Sequence, residues 1–112
     1  MRKTKHTKAL KRHNMLVDIV KDHMDAKGYR TVKNKEYSRY IQGEIDLLAF
    51  NGKYILNFEM KGNYTPKNYN KAVNQLQKAN FYYLQQKYPN ARVFNFMVHY
   101  NDRGRPEYLW IK

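Results

Sequence analysis

The sequence predicts a single α/β domain in the order α-β-β-β-α-β, closed by a short last strand. Three observations carry this reading. Apolar residues recur at helical spacing near the N-terminus and again over residues 67–88. Asn51-Gly52 separates two strand-like runs, the signature of a two-residue hairpin turn of type I′. The second helical stretch is followed closely by a hydrophobic run, residues 91–100. A chain of 112 residues, 42% of them hydrophobic, holds one small core and no second domain.

The elements follow in order. Residues 1–12 form a basic arm that leads into the first helix. Ala9, Leu10, His13, Leu16, Val17, Val20 and Met24 mark one face of that helix, expected over residues 7–27, and Gly28 is its C-cap. Tyr29, Thr31, Val32 and Tyr37 place a first strand around 29–37. Residues 43–50 and 53–61 are the two arms of the hairpin. Pro66 marks a loop, and Ala72, Val73, Leu76, Ala79, Tyr83 and Leu84 line one face of a second helix that Pro89-Asn90 breaks. Residues 91–100 are a strand, and 107–111 a short last one.

Composition narrows the function. With no cysteine, disulfides and cysteine-ligated zinc are excluded. Lys and Arg number 22 against 9 acidic residues, a net charge of +13 that opposes folding by self-repulsion and suits a polyanionic partner. No apolar run is long enough to span a membrane, and the charged N-terminus lacks the apolar stretch of a secretory signal. The expectation is an intracellular nucleic-acid partner. There is no glycine-rich phosphate loop and no G-x-S-x-G nucleophile turn. His6, His13, His23 and His99 have no zinc-binding spacing and read as DNA-facing or structural.

A turn at Asn51-Gly52 would set Phe50 opposite Lys53, Leu48 opposite Ile55, Asp46 opposite Asn57 and Glu44 opposite Glu59. Sides alternate along a strand. One face then carries Ile45, Leu47, Ala49, Tyr54, Leu56, Phe58 and Met60, all apolar or aromatic and suited to a core. The other gathers Glu44, Asp46, Asn57, Glu59 and Lys61 away from the turn. Like charges facing each other in a sheet repel. A hard divalent cation between these oxygens would remove the repulsion, since Mg²⁺ takes one or two carboxylates together with water and phosphate oxygens. Surface charges balanced by nearby lysines are the alternative. A β-bulge here would re-aim Asp46 or eject Glu44.

Gly43-Glu44-Ile45-Asp46-Leu47-Leu48-Ala49, a hairpin, and then Phe58-Glu59-Met60-Lys61 resembles the core of the PD-(D/E)XK nucleases, and within them the small archaeal-type Holliday-junction resolvases. The resemblance runs from about residue 10 to 100, with its specific part at 43–61. It implies a restriction-endonuclease-like core: a central mixed sheet flanked by helices. It also implies a Mg²⁺- or Mn²⁺-dependent endodeoxyribonuclease that acts as a homodimer. Asp46, Glu59 and the main-chain carbonyl of Met60 would hold the metal, which supplies Lewis acidity and activates water. Lys61 would orient that water and stabilise charge on the phosphate. Gln75 would be the polar residue of the following helix. Ile45 replaces the family's proline. The glutamate that resolvases carry on the first helix is missing; Asp18, His13 and Asn14 are the residues near its place, and Glu44 is an alternative donor from the sheet. Asp18, Asp22 and Asp25 share one helix face and read as a solvated stripe.

Arg2, Lys3, Lys5, Lys8, Lys11, Arg12, Arg30, Lys33, Lys35 and Arg39 are expected to track phosphates. Of the 11 tyrosines, Tyr37, Tyr40, Tyr64 and Tyr69 flank the site and are candidates to stack on splayed bases. Phe58, Phe81, Tyr83, Phe94 and Phe96 read as core or interface, with 67–88 and 91–100 as dimer elements. The leading expectation is a structure-selective DNA endonuclease of the junction-resolving kind. Its rivals are a nick-, flap- or end-directed nuclease and a non-catalytic nucleic-acid-binding module.

Overall fold

A computed structural model describes the backbone of residues 2–38 and 42–112, and the side chains of 8–37 and 43–112. Helix α1 (Arg2–Ala26) is followed by β1 (Arg30–Ser38), β2 (Gln42–Asn51) and β3 (Tyr54–Lys61). Helix α2 (Pro66–Ala79) runs through a π-helical turn (Asn80–Leu84) into α3 (Gln85–Lys87). Strands β4 (Arg92–Tyr100) and β5 (Pro106–Ile111) complete the chain. The expected arm is not separate from the first helix: α1 already begins at Arg2. No helix among the described residues is long and apolar enough to cross a membrane.

One five-stranded mixed sheet runs β1-β2-β3-β4-β5. All neighbours are antiparallel except β3 and β4, which pair in parallel from Tyr54↔Arg92 to Lys61↔His99. A parallel pair needs a crossover, and α2 with its extension supplies it. Leu16, Val17, Val20 and Met24 of α1 bury one sheet face against Leu47, Ala49, Phe58, Met60 and Val98. On the other face, Ala79 and Leu84 pack on Tyr37, Ile45, Leu48 and Ile55.

The helix ends are set by their own residues. Gly28 adopts φ +89°, its N–H bonds the Asp25 carbonyl, and the Tyr29 N–H bonds Met24, the paired bonds of a Schellman cap. Thr65 caps α2 by accepting from the Asn68 N–H at 3.0 Å, with Pro66 in the first helical position. At the π turn, Asn80 Nδ2 and Asn57 Nδ2 both donate to Asn95 Oδ1, at 3.0 and 3.1 Å.

Two features of the hairpin correct the sequence reading. The turn is Gly52-Lys53, not Asn51-Gly52: Asn51 pairs with Tyr54, Phe50 with Ile55 and Leu47 with Phe58. Only the first central residue, Gly52, has positive φ (+58°), the mark of a II′ turn, where Asn-Gly as I′ would need positive φ at both. The shift moves each partner by two residues, so the faces are kept; a one-residue slip would have exchanged them. Second, Ile45 leaves the expected face and packs in the α2-side cluster. The β1–β2 ladder pairs Lys33 with Leu47 and Lys35 with Ile45 but skips Asn34 and Asp46, and Asn34 sits at φ +56°. That local break resets the alternation. Asparagine is among the few residues that adopt this conformation readily.

Candidate active site

The break in the ladder builds the site. The regular β2–β3 pairing ends at Leu47↔Phe58. Beyond it, Asp46 turns its carboxylate toward β3, where Oδ2 accepts the Met60 N–H at 2.8 Å. The side chain thus takes a strand N–H that a neighbouring backbone would otherwise satisfy. Asp46 and Glu59 are each only 5% exposed, although carboxylates are rarely buried unless partnered. They meet at the floor of a cleft of about 450 Å³ whose lining includes His13, Glu44, Asp46, Glu59, Lys61 and Gln75.

Each group is held from a different element. His13 of α1 approaches Asp46, with Nε2 3.2 Å from Oδ2. That hydrogen bond, opposed by desolvation, raises the His13 pKa above its ordinary value. Lys61 Nζ lies 3.5 Å from Glu59 Oε2 and donates to Gln75 Oε1 of α2 at 2.7 Å. The Glu59 pKa is pushed well above the ordinary carboxylate range, first by burial and then by the Asp46 charge; Lys61 offsets part of this. Arg12 fixes α1 over the cleft mouth. Its guanidinium donates to the Gly62 carbonyl at 3.4 Å and lies 4.5 Å from the centre of the Tyr100 ring, while Tyr100 Oη donates to the Arg12 carbonyl at 3.2 Å.

The structure brings together Asp46, Glu59, Lys61 and Gln75, and the Met60 backbone joins them through its N–H to Asp46 while its side chain is buried against α1. Glu44 is at the rim: it lines the cleft but is exposed, and it faces Glu36 across the β1–β2 ladder, not Glu59. Of the first-helix residues left open by the sequence, His13 reaches Asp46. Asp18 points elsewhere and pairs with Lys33 at 2.8 Å, and Asp25 is tied to Lys21 and Thr31. This fits the solvated stripe expected of the three aspartates.

The basic residues divide into two groups. Lys8 and Lys11 are exposed on α1 and, with Arg12, line a second groove of about 400 Å³. The cations of β1 are engaged locally: Arg30 lies over Phe50 at 4.4 Å, Lys33 binds Asp18, and Lys35 lies over Tyr83 at 5.6 Å. The side chains of Arg2, Lys3, Lys5 and His6, and residues Arg39 and Tyr40, lie outside the described residues. Tyr37 is no stacking platform, because its buried ring stacks on Tyr83 at 5.9 Å. Tyr64 is exposed, beside Tyr69 and His99. His23 and His99 are tied to protein groups, Tyr108 Oη and the Tyr100 carbonyl.

Among the described residues no three His, Cys, Asp or Glu side chains gather as a metal-binding group. The site's donors are two hard carboxylates, the ligand number Mg²⁺ accepts when water and phosphate oxygens complete its shell. Their mutual repulsion in a buried setting is what a divalent cation would relieve, so the donor set fits such an ion.

No family model and no curated protein matches this chain.

Proposed function

We propose that the protein is a Mg²⁺- or Mn²⁺-dependent, structure-selective DNA endonuclease of the PD-(D/E)XK type, most similar to the junction-resolving enzymes. The observation that carries this reading is the pair of buried carboxylates, Asp46 and Glu59, with Lys61 beside them in an open cleft of a protein of charge +13. A strand with Asp, an adjoining strand with Glu-x-Lys, and a helix after it that brings Gln75 to the lysine support this reading.

Asp46 and Glu59 would hold the metal, with the Met60 carbonyl as a third oxygen. When bound, the ion supplies Lewis acidity at phosphorus and lowers the pKa of water. The chain's own groups do the rest. Lys61, kept in place by Gln75, presents a cation to the phosphate where negative charge develops. His13 holds Asp46 from the helix side and restricts its rotation. Lys8 and Lys11 line a groove that shares Arg12 with the cleft and would seat the flanking phosphates. Paired symmetric incision of a junction requires two such sites, which a two-fold dimer provides.

The deciding experiment is cleavage of labelled four-way junction, flap, nicked and linear duplex DNA in Mg²⁺, Mn²⁺ or EDTA, with Asp46→Asn in parallel. Metal-dependent symmetric cutting of the junction, lost in the variant, is the expected outcome. Cutting of another substrate would keep the chemistry and replace the biology. Binding without cutting in every metal would overturn the enzyme reading in favour of a binding module.

A further inference from the structure

Helix α1 does not cover the whole of the sheet face it packs on. Side chains on this face are Tyr54, Leu56, Phe58 and Met60 on β3, alternate residues Arg92 to Tyr100 on β4, and Tyr108 and Trp110 on β5, as the pairs Tyr54↔Arg92, Phe96↔Trp110 and Val98↔Tyr108 require. The C-terminal part of α1 reaches as far as Tyr108, whose Oη contacts His23 Nδ1 at 3.0 Å. Beyond it the face is open: Tyr54 is 45% and Trp110 53% exposed. Three rings form a strip across three strands, with Tyr54 5.8 Å from Phe94 and Phe94 6.4 Å from Trp110. An apolar recess of about 300 Å³, floored by Leu56, Phe58 and Phe96, adjoins it under the end of α1.

The charge around this strip is of one sign. Arg92 lies over Phe94 at 5.8 Å and Lys112 over Trp110 at 5.1 Å. The acidic residues of β3 and β5 are on the opposite face: Glu59 lies in the cleft, and Glu107 pairs with His99. A second copy docked here about a two-fold axis would bring Arg92 and Lys112 toward their own counterparts in an apolar setting, which like-charge repulsion opposes. A polyanion with flat apolar rings meets both features. Exposed aromatics flanked by cations are how single strands are held without sequence readout, the bases stacking and the phosphates meeting the cations. Tyr54 is five residues from Glu59 along β3, roughly 17 Å at the rise of a strand.

We propose that the Tyr54–Phe94–Trp110 strip, with Arg92 and Lys112, is a second nucleic-acid site that holds unpaired DNA. It rests on the DNA-nuclease reading for its choice of DNA, but not on catalysis. Trp110 is the sole tryptophan, so its fluorescence reports this face alone. The full chain would be titrated with oligo-dT in EDTA, with duplex of equal length and oligo-U as comparison arms. Saturable quenching by oligo-dT, weaker by duplex and by oligo-U, is expected. Tyr54→Ala and Arg92→Ala should each weaken that binding, the former by about 5- to 100-fold, while Asp46→Asn leaves it unchanged.

Absence of quenching under conditions where a gel shift shows oligo-dT bound would overturn the site. So would unchanged affinity in both variants. Equal or stronger quenching by oligo-U would overturn DNA as the occupant. A concentration-dependent change in Trp110 emission without nucleic acid, matched by dimers in sedimentation, would assign the face to a second copy instead. Loss of cleavage in Asp46→Asn with quenching intact separates this site from the catalytic one.

Discussion

The two ends of the β2–β3 hairpin are built from the same strands and behave oppositely. At the turn end, pairing is continuous from Leu47↔Phe58 to Asn51↔Tyr54, and Leu48, Ala49 and Ile55 are buried apolar residues. At the open end, the β2–β3 ladder stops, the β1–β2 ladder skips Asn34 and Asp46, and two carboxylates are buried within reach of each other. Regular pairing satisfies backbone groups and leaves side chains free to pack. Where pairing lapses, side chains take over the backbone's hydrogen bonds, as Asp46 does for Met60. Burying Glu59 beside Asp46 destabilises the fold, and that cost is concentrated at the end proposed to do chemistry.

The comparison can be broken most decisively at Asp46. Asp46→Asn keeps an acceptor for the Met60 N–H, so the fold should persist while metal-dependent cleavage falls by about 10²- to 10³-fold or more in single-turnover assays. Junction affinity in a gel shift should change little. Lys61→Ala removes one charge-stabilising donor and should lower the cleavage rate about 10²-fold, again with binding retained. A large loss of affinity would instead make Lys61 a phosphate anchor.

Glu59→Gln should separate stability from activity. In EDTA the wild-type Glu59 carboxyl has a raised folded pKa, so its ionisation costs stability as pH rises above the ordinary carboxylate range and through that raised value. His13, also raised, contributes stability below its ordinary pKa that is lost as pH rises through the folded one. Both effects weaken the metal-free protein with rising pH. Thermal melts from acid to neutral pH should show Glu59→Gln melting higher than wild type at neutral pH, and changing less with pH, while it cleaves nothing. Identical pH profiles for the two proteins would show that Glu59 carries no such cost.

The turn end should show the reverse pattern. Gly52→Ala places a Cβ at φ +58° and should cost about 1–2 kcal/mol in denaturant melts, with any cleavage rate of the folded protein unchanged. Asp18→Ala should have the smallest effect, within about 1 kcal/mol in stability and none on cleavage, because its exposed pair with Lys33 lies away from the cleft.

The order of elements was legible from local signals. The helical faces over Leu16–Met24 and Ala72–Leu84, the Gly28 cap, the hydrophobic run at 91–100 and the turn near Gly52 all act over a few residues, and the structure has each of them. That Asp46, Glu59 and Lys61 gather was also legible from the hairpin, but strand alternation holds only from Leu47↔Phe58 to the turn, and Asp46 joins the group through its bond to the Met60 N–H. The exact turn was not, since Asn51-Gly52 and Gly52-Lys53 are both acceptable to a two-residue loop, and packing of the strands chooses between them. Nor was the reversal of Ile45, which follows from Asn34 and Asp46 failing together on neighbouring strands, a cross-strand event that neither strand contains alone.

The charge, the absence of cysteine, the succession of helices and strands, and the candidacy of Asp46, Glu59 and Lys61 could all be read from the residues alone. These are properties of composition and of short-range periodicity. Tertiary structure alone decided that His13 rather than Asp18 meets Asp46, that Glu44 stays at the rim, that Lys61 rests on Gln75, and that the Tyr54–Trp110 strip lies open beyond the end of α1. Each depends on how a helix is placed over a twisted sheet, and that placement is set by the close packing of residues far apart in the chain.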